Sequence, residues 1–511
     1  MNDAPPHLAQ SWIVTKRAAR GRQGVVVAQA REAAQAGIAA LQAGGNAVDA
    51  AVATAFALPA AEPWNSGLGG VGFAVVQPAG EPRASVVDFG PVAPQNLDPA
   101  AFPLTGRPGG DLFGWPEVEG DRNVHGPLSF CVPSAVAGYA EMHARWGRLP
   151  MAELLAPAII LARRGLPNDW YAALRVLQQA PILRRYPESA RLYVPDGSAR
   201  ANAWPMAYLP LGKLSATLER LAKAGCEDFY TGEIAKELVR DTTIRGGVLS
   251  RDDLRRYRTE VTAALELPWR GRHLQVPGER TAGPAMMQVL EEMERLPTAQ
   301  TPDARWYVAF SRAVRRAQAV RLGQDGSTSH ICVVDAEGGM VSLTTTLLSS
   351  FGSRMVLPET GVLMNNAVMW FDPRPGRANS IAPGARPLTN MLPLLLRHDD
   401  APVLAAGGSG GRKILSAVLQ LFMFVIDFGM HPEDAAAVPP IDVSSPDSVT
   451  ADHRLAPDVL AALAAEATLE VAEPMVTPNL FAAPSLVVAD RRGIRFGVAD
   501  VASPWSAALA Q

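Results

Sequence analysis

The spacing of apolar residues changes partway along the chain. Up to Leu322 they recur mostly at helical intervals, and beyond it they gather in short β-branched runs. The first part predicts a strand over 24–28, an alanine-rich helix up to Gly44-Gly45, and a helix over 47–58 that Asn46 or Asp49 caps and Pro59 ends. A strand over 71–76 and a Pro/Gly-dense loop over 91–126 follow. Helices are expected over 131–146, 151–164, 214–224, 231–241, 285–296 and 304–322, with Ser250 to Leu254 opening another. The second part predicts strands over 361–366, 388–396 and 402–406, a polar loop over 372–385, helices over 413–428, 432–438 and 457–466, and a hairpin over 485–496.

One stretch stands apart. From Thr328 the chain sets Thr328, His330, Cys332 and Val334 on one side of a strand and Ser329, Ile331, Val333 and Asp335 on the other. The turn Ala336-Glu337-Gly338-Gly339 reverses it into a run ending in Thr344, Thr345 and Thr346. The hairpin thus brings a threonine-rich tail back beside a strand that starts with threonine. His330 and Cys332 read as packed core residues.

The totals narrow the function. A chain of 511 residues with 48% apolar and 19% charged side chains has room for two to four domains. Its net charge of -3 and the absence of a clustered Lys/Arg excess argue against nucleic acid. The longest apolar run, 414–428, is too short and too interrupted to span a membrane. No signal-like segment opens the chain, so a cytoplasmic location is expected. Three dispersed cysteines and eight scattered histidines give neither a disulfide framework nor a metal-ligand pair, so no metal or organic cofactor is expected. The glycines of residues 62–73 follow a helix and precede a strand, the reverse of a nucleotide-binding loop.

Five segments in order, GGNAVDAAVATAFAL (44–58), EPWNSGLGGVGF (62–73), VPSAVAGYAEMHARWGRLP (132–150), TSHICVVD with VSLTTT (328–346) and GSGG (408–411), resemble the γ-glutamyltransferases. That resemblance spans nearly the whole chain. It implies a four-layer αββα sandwich with antiparallel central sheets, the N-terminal-nucleophile (Ntn) hydrolase fold. It also implies a proenzyme that cuts itself between Ser327 and Thr328 into a large fragment (1–327) and a small one (328–511), which together form one αββα unit. The expected assembly is a heterodimer of these fragments, with a dimer of such pairs left open. Thr328 is then nucleophile and, through its freed α-amine, base. Thr346 orients it, and the N–H groups of Gly410 and Gly411 form the oxyanion hole.

The departures from the family pattern bear on substrate. Where the resemblance places an arginine for the substrate α-carboxylate, DFGPVAP (88–94) has Gly90. The acidic partner of the α-ammonium is Trp370, the polar residue before it is Ala367, a serine pair is Thr389-Asn390, and a polar residue after the threonine-rich strand is Leu348. A zwitterionic glutamyl head would find few partners, and an unpaired charge in a protein site is costly. The loop over 371–385 also looks short for the family. The expected substrate is therefore a small carboxylate-bearing amide of the oxamate type, with Trp370 filling the glutamate pocket. Arg386, Thr389, Asn390, Asn365 and Asn366 are candidates to hold it.

Three alternatives stand beside this reading: a true γ-glutamyltransferase or glutathione hydrolase, a non-catalytic binding protein that is never cleaved, and an α/β-hydrolase. The last rests on Gly407-Gly408-Ser409-Gly410-Gly411, which fits a nucleophile elbow with Ser409 as nucleophile and His431 or His453 as base.

Overall fold

The two residue sets of the 328–335 stretch separate because both faces of its strand are covered. We describe a computed structural model covering residues 15–109, 113–296, 300–320, 327–473 and 480–511. Ile331 and Val333 pack outward under helices, while Cys332 and Val334 pack inward against a second sheet. The start of the N-terminal arm, Gly326, and the last two residues of the helix expected over 304–322 lie outside the described residues, as does the side chain of Ser327.

Two seven-stranded sheets lie face to face. The first runs in the order Ala507–Ala510, Gly24–Ala28, Ser327–Asp335, Met340–Leu348, Val71–Gln77, Ser85–Phe89, Glu260–Ala263. The second runs Ala19–Gly21, Arg495–Val498, Ala483–Ala489, Ala401–Ser409, Leu394–His398, Arg272–Val276, Leu265–Trp269. Neighbouring strands are antiparallel throughout both. Val25, Val27, Val75, Leu395, Ala405 and Val487 fill the layer between them. Helices Arg31–Gln42 and Ala47–Ala61 cover the first sheet, and Gly283–Met293, Ala304–Val320 and Lys413–Ile426 cover the second. This is the expected αββα sandwich.

Several expectations need correction. The change of pattern at Leu322 is no spatial boundary, because each sheet mixes strands from before and after it. Helix Ala47–Ala61 opens with a reciprocal Asn46/Asp49 capping box and continues through Pro59. A proline so near the end removes a single N–H donor, and burial of every residue of the helix holds the last turn in place. The strand expected over 361–366 shrinks to Val362–Leu363. That expected over 388–396 begins at Leu394, because Thr389 and Met391 bond instead to Arg280 and Ala282. Strands Ser85–Phe89, Leu265–Trp269 and Arg272–Val276 carry no clear sequence period, and they and the amphipathic helix Trp170–Leu183 add to the expected elements.

Candidate functional site

Thr328 stands at the head of its strand, 3% exposed, beside the end of the neighbouring strand. The ladder pairs Ser327 with Leu348 and Ser329 with Thr345, so an irregularity falls at Thr328 itself. Leu348 takes φ 88°, a strained angle for a leucine, and its N–H donates to Thr346 Oγ1 at 2.7 Å. The fully buried Thr346 thus fixes the turn that leaves the hairpin beside Thr328.

The second sheet closes on this point. The N–H of Thr328 donates to Ser409 Oγ at 3.3 Å, at the end of strand Ala401–Ser409. Gly410 and Gly411 follow with φ 134° and 65°, angles that favour glycine. The sheets are also stitched through Ser342, whose hydroxyl donates to Ala406 O at 2.8 Å and accepts from Leu394 N–H at 3.1 Å.

His330 lies fully buried between the sheets, with Nδ1 at 2.9 Å from Thr344 Oγ1 and Nε2 at 3.2 Å from Cys332 Sγ. Burial lowers its pKa to about 3, so the ring is neutral at physiological pH. It fills the space above Gly407, where a side chain would collide with it.

Beneath the strand lies a polar cluster that the sequence did not reveal. Ser329 Oγ donates to Glu62 Oε2 at 2.9 Å and lies 3.0 Å from Ser66 Oγ, and Asn65 Nδ2 donates to Glu62 Oε1 at 2.9 Å. Burial raises the Glu62 pKa to about 7, with the Ser329 hydrogen bond and the field of Arg175 opposing the rise. The available signal was an acid directly after a helix whose only charge is its capping Asp49, at the start of residues 62–73.

On the far side of the hairpin Leu348, Phe73, Met391 and Trp370 share one apolar cluster, reached by Phe102, Phe113 and Trp115 from the 91–126 loop. Trp370 is 2% exposed and its indole N–H is buried without a hydrogen-bond partner. The segment after it is tied over the cluster, since Asn379 Nδ2 donates to Trp370 O at 2.8 Å and Ile381 packs inside.

The remaining candidates divide. Asn365 accepts from Cys131 and Ala367 N–H and donates to Gly69 and Cys131 carbonyls, which uses its whole amide on backbone. Asn366 similarly donates to Val124 O and Ser349 Oγ and accepts from Ser349 N–H. Both are scaffold, with no capacity left for a ligand carboxylate. Thr389 is buried, with its hydroxyl on Arg280 O at 2.9 Å, and Asn390 is half-buried beside it.

Arg386 lies 3.1 Å from Glu260 and 3.7 Å from Asp88. Asp88 also pairs with Arg280 and accepts from Gly90 N–H at 2.8 Å. Arg386 therefore approaches the place where Gly90 leaves no side chain, and its Nη1 is buried with no hydrogen-bond partner among the described residues.

Ser409 does sit between a strand and a helix, but its Oγ is engaged with Thr328 N–H. His431 packs on Phe496 and accepts from Glu433 N–H, and His453 faces Asp452 at 3.4 Å. Neither histidine is engaged with Ser409. Among the described residues no cluster of three His, Cys, Asp or Glu could hold a metal ion, and no helix is long and apolar enough to cross a membrane.

Comparison with known proteins follows this geometry. The profile of the family described as Gamma-glutamyltranspeptidase matches residues 33–323 and 309–507. An acylase ACY 1 proenzyme of Pseudomonas sp. (strain V22) is 31% identical over 471 residues, covering 83% of this chain and 83% of the relative. A glutathione hydrolase proenzyme of Bacillus subtilis (strain 168) is 27% identical over 507 residues, covering 87% and 84%. The fold matches the crystal structure of cephalosporin acylase from Bacillus halodurans with TM-score 0.84 and 24% identity over 100% of this chain and 99% of that one.

Proposed function

This chain belongs to the γ-glutamyltranspeptidase family of Ntn hydrolases acting on amide bonds, and we propose that it cuts itself at Ser327–Thr328 and then hydrolyses a small carboxylate-bearing amide. In the first step Thr328 Oγ attacks the Ser327 carbonyl. The peptide C–N bond breaks, the nitrogen takes the hydroxyl proton, and water hydrolyses the resulting ester. That leaves a carboxylate on Ser327 and a free amine on Thr328. An unperturbed α-amine has a pKa of about 8 and can accept the proton of its own hydroxyl.

In turnover Thr328 Oγ forms a bond to the substrate carbonyl carbon, the amine passes the proton to the leaving nitrogen, and water then releases the acid. The N–H groups of Gly410 and Gly411 would hold the developing oxyanion, a contribution of about 3–4 kcal/mol per donor in comparable sites. Thr346 would orient the nucleophile. The observation that carries this reading is Thr328 at a strand head between the sheets, with its N–H on Ser409 Oγ directly before two positive-φ glycines.

Two features support a small acyl group with a carboxylate. The region expected to seat a glutamyl head is apolar, lined by Leu348, Trp370 and Met391. Beside it Arg386, whose Nη1 makes a 3.7 Å ion-pair contact with Asp88 but no hydrogen bond, offers one donor to an anion.

The test has two arms. Denaturing electrophoresis with N-terminal sequencing should give two fragments, the second starting at Thr328. Ammonia release should be prompt with oxamate and other short carboxylate-bearing primary amides, while release of cysteinylglycine from glutathione and of the aniline from a γ-glutamyl anilide should be weak. Turnover of the γ-glutamyl compounds alone would favour a glutathione hydrolase and overturn the substrate reading. One uncut band would overturn the processing step.

A further inference from the structure

A cavity of about 130 Å³ begins one residue from the nucleophile, at Ser409, whose Oγ accepts the Thr328 N–H. In the first sheet the strand of Thr328 lies between Gly24–Ala28 and the strand that ends at Leu348. Trp370 clusters with Leu348, whereas this cavity lies beyond the other neighbour, where Gln29 continues from Ala28. Ser409 and Gly410 form its wall nearest Thr328, and Asn65 and Arg175 line it as well.

Arg175 comes from helix Trp170–Leu183, is 8% exposed, and stands over the Trp64 ring. Its Nη2 donates to Ser350 Oγ at 3.3 Å, but its Nε is buried with no hydrogen-bond partner. It forms no ion pair among the described residues; Glu62 feels its field from beyond pairing distance. A buried guanidinium without a carboxylate is costly unless a ligand completes it. Gln29, 5% exposed, has an unpartnered Oε1 in the same wall.

The cavity's other charges are already committed. Arg454 is spent on Asp452, and the Asp500 carboxylate accepts N–H groups of its own loop and faces Lys16. The cavity's volume of about 130 Å³ admits a carboxymethyl group.

We propose that this cavity is the leaving-group subsite, in which Arg175 binds the carboxylate of a small amino acid released from the scissile amide. The inference rests on the reading of Thr328 as nucleophile. It narrows the substrate class to N-acyl derivatives of small amino acids: the acyl carbon is transferred to Thr328 Oγ, the C–N bond breaks, and the amino acid departs with the proton.

The test uses the purified full chain and one matched pair of substrates. The acyl group that is best hydrolysed in the ammonia-release screen is joined to glycine and, separately, to methylamine. Wild type should prefer the glycine conjugate by roughly tenfold or more in kcat/KM, as a charge-assisted hydrogen bond warrants. Arg175→Gln should abolish that preference mainly through KM, and Arg175→Lys should retain part of it.

A general structural defect would lower both substrates together and leave the ratio intact, which would overturn the assignment. Equal use of the pair by wild type overturns it too. Failure to hydrolyse either conjugate while simple amides release ammonia sinks the subsite and spares the proposed function. Failure with all of them sinks both.

Discussion

Removing the buried carboxylate beneath the nucleophile strand should change how stability depends on pH. Glu62 is 1% exposed and held by Ser329 and Asn65, and burial raises its pKa from 4.5 to about 7. A group whose folded pKa is raised favours the folded state fully below its unfolded pKa, and that contribution is lost as pH rises through the folded value. A rise of this size corresponds to ~3 kcal/mol, lost as pH rises from about 4.5 through about 7.

Glu62→Gln keeps the shape, with its oxygen to accept from Asn65 and its NH2 to donate to Ser329 Oγ, but cannot ionise, so it should escape this loss. With an unfolding entropy of about 2.1 cal/mol/K per residue over 511 residues, 1 kcal/mol is worth roughly 1 °C. Thermal scans of both proteins across that range should show the Glu62→Gln curve rising relative to wild type by about 3 °C, most steeply midway between the two pKa values, at about pH 5.5 to 6. Other titrating groups, Asp427 and Asp500 among them, are common to both proteins and cancel in the difference. Parallel curves would refute the reasoning. Wild type gaining on the variant with rising pH would show that Arg175 outweighs burial.

Thr328→Ala should run as one uncut band with no amidase activity, while Thr328→Ser should still be cut, more slowly; mass spectrometry of the fragments decides. Thr346→Val removes the acceptor for Leu348 N–H and should cost about 1–3 kcal/mol of stability along with most of the activity, read by denaturant unfolding and steady-state kinetics. Gly407→Ala puts a methyl under 3.0 Å from three ring atoms of His330, and should destabilise by about 1–3 kcal/mol. Adding His330→Ala should recover part of that loss, and strict additivity would argue against the contact. Trp370→Ala should lower stability by about 3–5 kcal/mol and raise the relative rate with longer acyl groups, measured against a homologous series of amides.

The central hairpin was legible because its alternation and its Glu-Gly-Gly turn are local signals, and the structure reproduces it as Ser327–Asp335 and Met340–Leu348. The αββα architecture came from resemblance, since strands such as Arg272–Val276 sit in mid-sheet with His, Arg and Gln among their residues. Trp370 was read as a pocket filler and lies packed in an apolar cluster. Asn365 and Asn366 were misread as ligand donors, because nothing in a sequence tells an amide bound to backbone carbonyls from one facing a cavity. Arg175 and Gln29 left no trace at all. Arg175 lies on a helix of ordinary amphipathic composition, and its meaning arises only from what the fold sets beside it.

The strand order has a mechanical consequence. Both sheets contain strands from either side of residue 327 hydrogen-bonded to one another, so scission there creates no plane along which the halves could part. Pulling them apart means tearing ladders and opening all the cores at once, which makes dissociation and denaturation a single event. A cut molecule should accordingly melt at a temperature that climbs with protein concentration, whereas an uncut one melts independently of dilution.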